Sequence, residues 1–157
     1  MTIGKEIWLP AAAGLLLVVI VASGLVFLRE SCRDFSAGEL TIDGTPYDVA
    51  VANDAVTQAR GLMGCKKIPE SSGMYFPYDP PQIPAFWMKG MVIPIDIVWI
   101  TDGKVVGIAP NLPPVDKFSA DPPRYRPQRQ ITGVFEIGAG KAEEYGIKVG
   151  SIVTVLR

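Results

Sequence analysis

The chain has 157 residues, 15 basic and 16 acidic side chains, a formal net charge of −1 and no histidine. Near-neutrality without a basic stripe gives no electrostatic reason to expect nucleic acid, and the length suits one domain plus an appendage. The lack of histidine removes the commonest metal ligand and general base, so Ser-His-Asp and Cys-His mechanisms are excluded in their ordinary forms.

Residues 1–8 form a short flank before LPAAAGLLLVVIVASGLVFL at 9–28, a run with no charged side chain. At ~1.5 Å per helical residue such a run spans the ~30 Å hydrocarbon core of a bilayer. Trp8 and Arg29 flank it as interface residues. A cleaved signal peptide competes with this reading, because Lys5 precedes the run. Its apolar core should be shorter, however, and the small-residue cleavage site is poor. Arg29-Glu30-Ser31 before Cys32 does not suit a lipoprotein signal either. The pattern therefore predicts an uncleaved, single-pass anchor in the cytoplasmic membrane. Lys5 on one side and Arg29 and Arg33 on the other leave the basic-residue rule almost neutral. With no further long apolar run, the soluble domain is expected outside.

RESCRDFSAG at 29–38 reads as a tether into a domain at 39–157. Cys32 and Cys65 are too few for a disulfide scaffold or a four-thiolate zinc site. Outside the cytosol they could form one bridge, or they could remain two unrelated thiols. Glu39–Ile42 and Tyr47–Ala52 are strand-like around Asp43-Gly44, a hairpin signal. Asn53 or Asp54 can cap a helix whose apolar positions, Ala55, Val56, Ala59, Leu62 and Met63, run to Gly64. A strand at Gly73–Phe76 gives way to PYDPPQIP at 77–84, expected as a stiff loop because proline has no N–H for a ladder. Ala85–Lys89 resumes a strand, Pro94 interrupts, and Asp96–Thr101 turns through Asp102-Gly103 into Lys104–Ala109. Residues 110–130 form a second proline-rich loop. Ile131–Ile137 is a strand, Gly140–Tyr145 a short helix and Ile152–Leu156 a closing strand. The fold class expected is α+β and β-rich: an antiparallel-rich, barrel-like domain with two short helices behind one transmembrane helix.

Arg60-Gly61-Leu62-Met63, Gly73-Met74 with Phe76, Phe86-Trp87-Met88-Lys89, Ile93-Pro94-Ile95-Asp96-Ile97, Phe135-Glu136-Ile137 with Ala139-Gly140, and Tyr145–Gly150 occur in this order. Together they resemble domain-of-unknown-function family 192, a prokaryotic family whose members are often exported or membrane-anchored. The resemblance covers about residues 47–157. It implies a compact, β-rich, barrel-like domain and brings no established reaction or ligand. The chain departs from the family pattern at Gly90, where asparagine usually follows the lysine, and at Ser151, where aspartate is common.

The polar residues within apolar runs are the candidates for function. Asp96 opens a strand and, if pleating starts there, shares a face with Val98 and Ile100. It needs either a cation, with Arg60, Lys89 or the RYRPQR segment at 124–129 available, or backbone N–H partners at a turn. Glu136 in TGVFEIG could pair with Asp96 as in glycoside hydrolysis, or sit exposed on a one-sided sheet. Tyr75, Phe76, Tyr78, Phe86 and Trp87 gather around the first proline loop, where they could grip a sugar or peptide or simply close a barrel end. Met63, Met74, Met88 and Met91 beside Cys65 admit soft-metal capture, although methionine at apolar positions is usually packing. The arginines of RYRPQR are solvated surface unless they meet anionic lipid.

The resulting expectation is a membrane-anchored envelope module without catalytic residues, metal or cofactor, which binds an unknown envelope ligand or protein partner. Its polar cluster is Arg60, Tyr78, Trp87, Lys89, Asp96 and Glu136. The alternatives are a carboxylate-dependent hydrolase acting on an envelope substrate and a structural subunit of a membrane complex.

Overall fold

The computed structural model describes residues 32–156. The flank at 1–8, the anchor at 9–28 and the start of the tether lie outside the described residues. Among those described, no helix is long and apolar enough to cross a membrane.

The strands are β1 (Gly38–Ile42), β2 (Thr45–Val51), β3 (Ser72–Gln82), β4 (Phe86–Trp87), β5 (Ile95–Thr101), β6 (Lys104–Leu112), β7 (Arg124–Tyr125), β8 (Ile131–Gly138) and β9 (Val153–Leu156). The helices are α1 (Ala55–Arg60) and α2 (Lys141–Glu144). Seven strands form one sheet in the order β6-β5-β8-β3-β2-β1-β9, while β4 and β7 pair separately. Every pair in the large sheet is antiparallel except β2 with β3. The sheet curls into a half-barrel whose outer edges meet. Gly150 N–H donates to Val105 O at 2.8 Å, Val105 N–H to Ser151 O at 2.9 Å, and Val153 N–H to Gly103 O at 2.8 Å. That seam occupies edge groups that would otherwise be open to a foreign strand.

Local chemistry accounts for most of these elements. Both Asp-Gly pairs make the hairpins expected of them, with positive φ at Asp43 (49°), Gly44 (83°), Asp102 (48°) and Gly103 (69°). Asp54 caps α1 by accepting from Val56 N–H at 2.8 Å and Thr57 N–H at 2.9 Å. The helix ends at Arg60 rather than at Gly64. Gly61 breaks it, and the turns Met63 N–H to Arg60 O and Cys65 N–H to Leu62 O carry the helix-like spacing onward. The first proline stretch is not wholly loop, because β3 runs on to Gln82. Its pairing with β8 is continuous only from Met74 to Pro77 and resumes at Gln82, so Pro80 and Pro81 fall where no ladder N–H is required. Lys89 lies beyond β4 and makes a single bridge with Val115. Within the second proline loop, β6 continues to Leu112 and Arg124–Tyr125 forms β7. Cys32 and Cys65 are joined by a disulfide.

The sheet is covered on both faces. Leu40, Tyr47, Val49, Val98, Ile100, Val105, Phe135, Ile137 and Val153 pack together inside the curl, joined by Ala142 and Ile147 from the α2 region. On the outer face Met74, Phe76, Ile97, Trp99 and Val134 pack under Leu62, Cys65, Met88 and Met91. β3 and β8 run so close that a Cβ at Gly73 would sit 2.3 Å from the Phe135 ring and 2.4 Å from Glu136 O.

Asp96 belongs to this scaffold and not to the polar cluster. It is fully buried on the inner face, beside Val98 and Ile100 as alternation requires. Its Oδ1 accepts from Asn111 N–H at 2.8 Å and Gly140 N–H at 3.0 Å, and its Oδ2 from Ala142 N–H at 2.9 Å. The carboxylate thereby fastens the entry of α2, which has no side-chain cap of its own, to the far end of β6. Asp96→Asn should cost about 2–3 kcal/mol, since an amide NH₂ must then face a buried backbone donor. Denaturant unfolding of the full chain measures this, and a loss below about 0.5 kcal/mol would contradict the capping role.

Candidate functional site

On the outer face a half-open cleft of about 300 Å³ lies between the turn after α1, β3, the β4 strand and β8. Glu136 lines it from β8, where strand alternation points it away from the barrel interior that holds Phe135 and Ile137. The side chain is 6% exposed. Among the described residues, its carboxyl accepts no hydrogen bond and forms no ion pair. Burial pushes its pKa up to about 8, against the pull of the Arg33 charge. It is therefore mostly protonated near neutrality. Gly61 leaves the carboxyl uncovered: a Cβ there would stand 3.9 Å from Glu136 Oε2, but the residue has none.

Cations gather around this acid. Arg33, next to the disulfide, donates to Cys32 O and Gly61 O and lies within electrostatic reach of both Arg60 and Glu136. Burial first and Arg60 second hold its pKa below the usual arginine value. Exposed Arg60 and half-buried Lys89 line the cleft itself. Tyr78, also lining it, has its hydroxyl pushed up to about 12 by burial and then by the Glu136 charge. The apolar wall comes from Leu62, Phe76, Phe86 and Met91. Phe76 and Phe86 meet edge-on at 5.2 Å, and Phe86 repeats this with Trp99 at 5.5 Å. Trp87 forms the outer lip, 41% exposed, with the Arg124 guanidinium 5.7 Å from its ring centre across the β4–β7 pair.

The structure thus brings together Arg60, Tyr78, Trp87, Lys89 and Glu136 around one cleft and leaves Asp96 out. The carboxylate pair weighed for hydrolysis does not exist. Asp96 faces Ile137 across the β5–β8 ladder, while Glu136 faces Ile97 one step along, so the two acids project from opposite faces of the sheet. Among the described residues no second carboxylate lines the cleft. The soft-metal reading fails on Cys65, whose sulfur is bonded to Cys32, and on Met74 and Met88, which are core residues. Tyr75 likewise packs inside the barrel. The sequence reading missed Arg33, which only the bridge to Cys65 brings to the site. A different kind of signal explains Gly90: it sits at φ 75°, a left-handed position open to glycine and also to asparagine, so the departure there keeps the backbone.

Comparison with known proteins identifies the family and the fold. The model of domain-of-unknown-function family 192, described as "Uncharacterized ACR", matches residues 38–155. The chain belongs to that family. A crystal structure of a protein of unknown function from Novosphingobium aromaticivorans DSM 12444 is 32% identical, with a TM-score of 0.67, over 74% of this chain and 83% of that one. A candidate transcription regulator from Sinorhizobium meliloti 1021 is 24% identical, with a TM-score of 0.66, over 78% of this chain and 97% of that one, and shows the fold alone. No curated protein matches.

Burial of Glu136 has a consequence for stability. A carboxyl whose pKa rises on folding leaves the fold unpenalised below its unfolded value and destabilises it increasingly as pH climbs toward about 8. Glu136→Gln should therefore be nearly neutral at about pH 4.5 and stabilise the protein by ~3 kcal/mol or more above about pH 8. Paired denaturation curves across that range check this; a constant difference between the two proteins would contradict it.

Proposed function

We propose that this family member is a non-catalytic binding module of the cell envelope, held at the cytoplasmic membrane by residues 9–28, and that it binds through the Glu136 cleft. The observation that carries this reading is a carboxyl group, on a side chain only 6% exposed, that lines an open cleft and accepts no hydrogen bond among the described residues. An acid this buried costs folding energy, and a perturbed group in a concave site favours a role other than folding. The wall around it has the make-up of a ligand pocket, with aromatic and aliphatic surface and a few convergent polar groups. A hydrolase using two carboxylates has less support, because the second is absent from the cleft.

The extracytoplasmic placement is supported by the Cys32–Cys65 disulfide, since such bonds persist in oxidising compartments. In membranes prepared with free thiols blocked at once, neither cysteine should take a maleimide-polyethylene glycol label until reductant is added. Absence of labelling even after reduction, because both thiols had already been capped, would place the domain on the reducing side.

The binding reading is tested by screening envelope sugars, peptides and lipids against the full chain in detergent. At least one class should raise the unfolding temperature, by about 2 °C or more at saturation. That shift should disappear in Trp87→Ala and Arg60→Gln, two exposed positions whose replacement leaves the core intact. A ligand effect indifferent to both changes would place binding elsewhere, and conversion of the ligand to product would make the protein an enzyme.

A further inference from the structure

Granting that the cleft is the binding site, its charge pattern narrows the class of ligand. The lining carries Arg60 and Lys89 against the single acid Glu136, so the lining is net positive even with that acid ionised. Arg33 adds a further positive charge within reach of Glu136. A ligand cation would meet three like charges and one acid, whereas a ligand anion meets three opposite ones. The cleft lies at the small end of ligand cavities, and its inner wall of Leu62, Phe76, Phe86 and Met91 offers hydrocarbon rather than hydrogen bonds.

We propose that the cleft takes a small organic carboxylate on an aromatic or aliphatic body, with the Glu136 carboxyl donating a hydrogen bond to it and Arg60 and Lys89 supplying the counter-charge. The Glu136 side chain is only 6% exposed, lines the cleft and makes no hydrogen bond among the described residues, so its O–H is available to the ligand. An O–H···O⁻ bond between a carboxylic acid and a carboxylate is short and strong, and a low-dielectric floor strengthens it further. Arg60, at the end of α1, and Lys89, beyond β4, both line the cleft. The body then lies along Phe76 and Phe86 toward the Trp87 lip. Gly61 places no side chain beside the acid.

Protonation gives this arrangement a signature. The groups facing Glu136 are Arg33 from the tether, Arg60 from α1, Tyr78 from β3 and Lys89 beyond β4. Guanidinium groups keep their charge, and the Tyr78 hydroxyl titrates near 12. Loss of the Glu136 proton, around pH 8, would replace a donor with a second anion facing the bound one.

The test uses three isosteric probes on the full chain in detergent: phenylacetate, phenylacetamide and phenethylammonium. Binding is read from the methyl resonances of Met63 and Met91, both of which line the cleft. Phenylacetate should bind saturably and at least about tenfold tighter than either analogue near neutrality. Its affinity should be flat between about pH 6 and 7, where the probe's own carboxyl is ionised, and fall by about tenfold per unit well above pH 8. Glu136→Gln should keep the binding and lose the pH dependence, because an amide also donates but does not titrate. This last result separates donation by Glu136 from a merely structural role. Preference for the amide or the ammonium would overturn the carboxylate assignment while leaving the cleft as a binding site. A pH-independent affinity in the unmodified protein would overturn the role of Glu136. No binding by any probe in the millimolar range would overturn the inference altogether, and the module reading would then rest on the envelope screen through Trp87.

Discussion

β8 runs through the middle of the sheet, between β5 and β3, and both of its faces are covered. A carboxyl in the middle of it, or beside it on β5, is taken largely out of water, and its desolvation must be met in some way. The two acids in this zone meet that constraint differently. Asp96, on the inner face, receives three backbone N–H groups and in return ties α2 to the end of β6. Glu136, on the outer face, receives none from the described residues, and it escapes part of the cost by holding its proton. One carboxylate is therefore spent on the architecture and the other is left available. The ladder between β5 and β8 keeps them on opposite sides, so they cannot share a reaction.

The parts of the fold legible in the sequence are those with short-range causes. Asp-Gly can take the positive φ values of a tight hairpin, and both such pairs are hairpins. Asp54 caps because its side chain reaches the free N–H groups of the next turn. Alternation put Asp96 with Val98 and Ile100. Register between strands distant in sequence was not legible, and it decides whether Asp96 and Glu136 meet. The end of α1 was misread because two tight turns after Gly61 imitate helical spacing. The strand through Pro77 was misread for a related reason. Proline excludes a ladder bond only at its own nitrogen, and a neighbouring gap in pairing removes the need for one.

The cluster of Arg60, Tyr78, Trp87, Lys89 and Glu136 stood out in the sequence because each interrupts or borders an apolar run. That signal says that a side chain is out of place chemically, but not what it faces. It flagged Asp96 as readily as Glu136, although only geometry separates a capping acid from an unpartnered one. Arg33 gave no such signal, lying as it does in a charged tether where arginine is unremarkable.

Arg33 nevertheless ties the electrostatics of the cleft to the covalent state of the chain. The disulfide pins Cys32 to Cys65, and the adjacent guanidinium then closes onto Gly61 O, beside the floor of the cleft. It is also the charge that opposes the upward push of burial on Glu136. Without the bridge, the tether would have to hold Arg33 by hydrogen bonds alone against the entropy of a free segment. The same bond that suits an oxidising compartment thus holds a positive charge near the cleft. The tether acts on the cleft through charge, because the residue that follows the bridge helps set the protonation of the acid on which the cleft is centred.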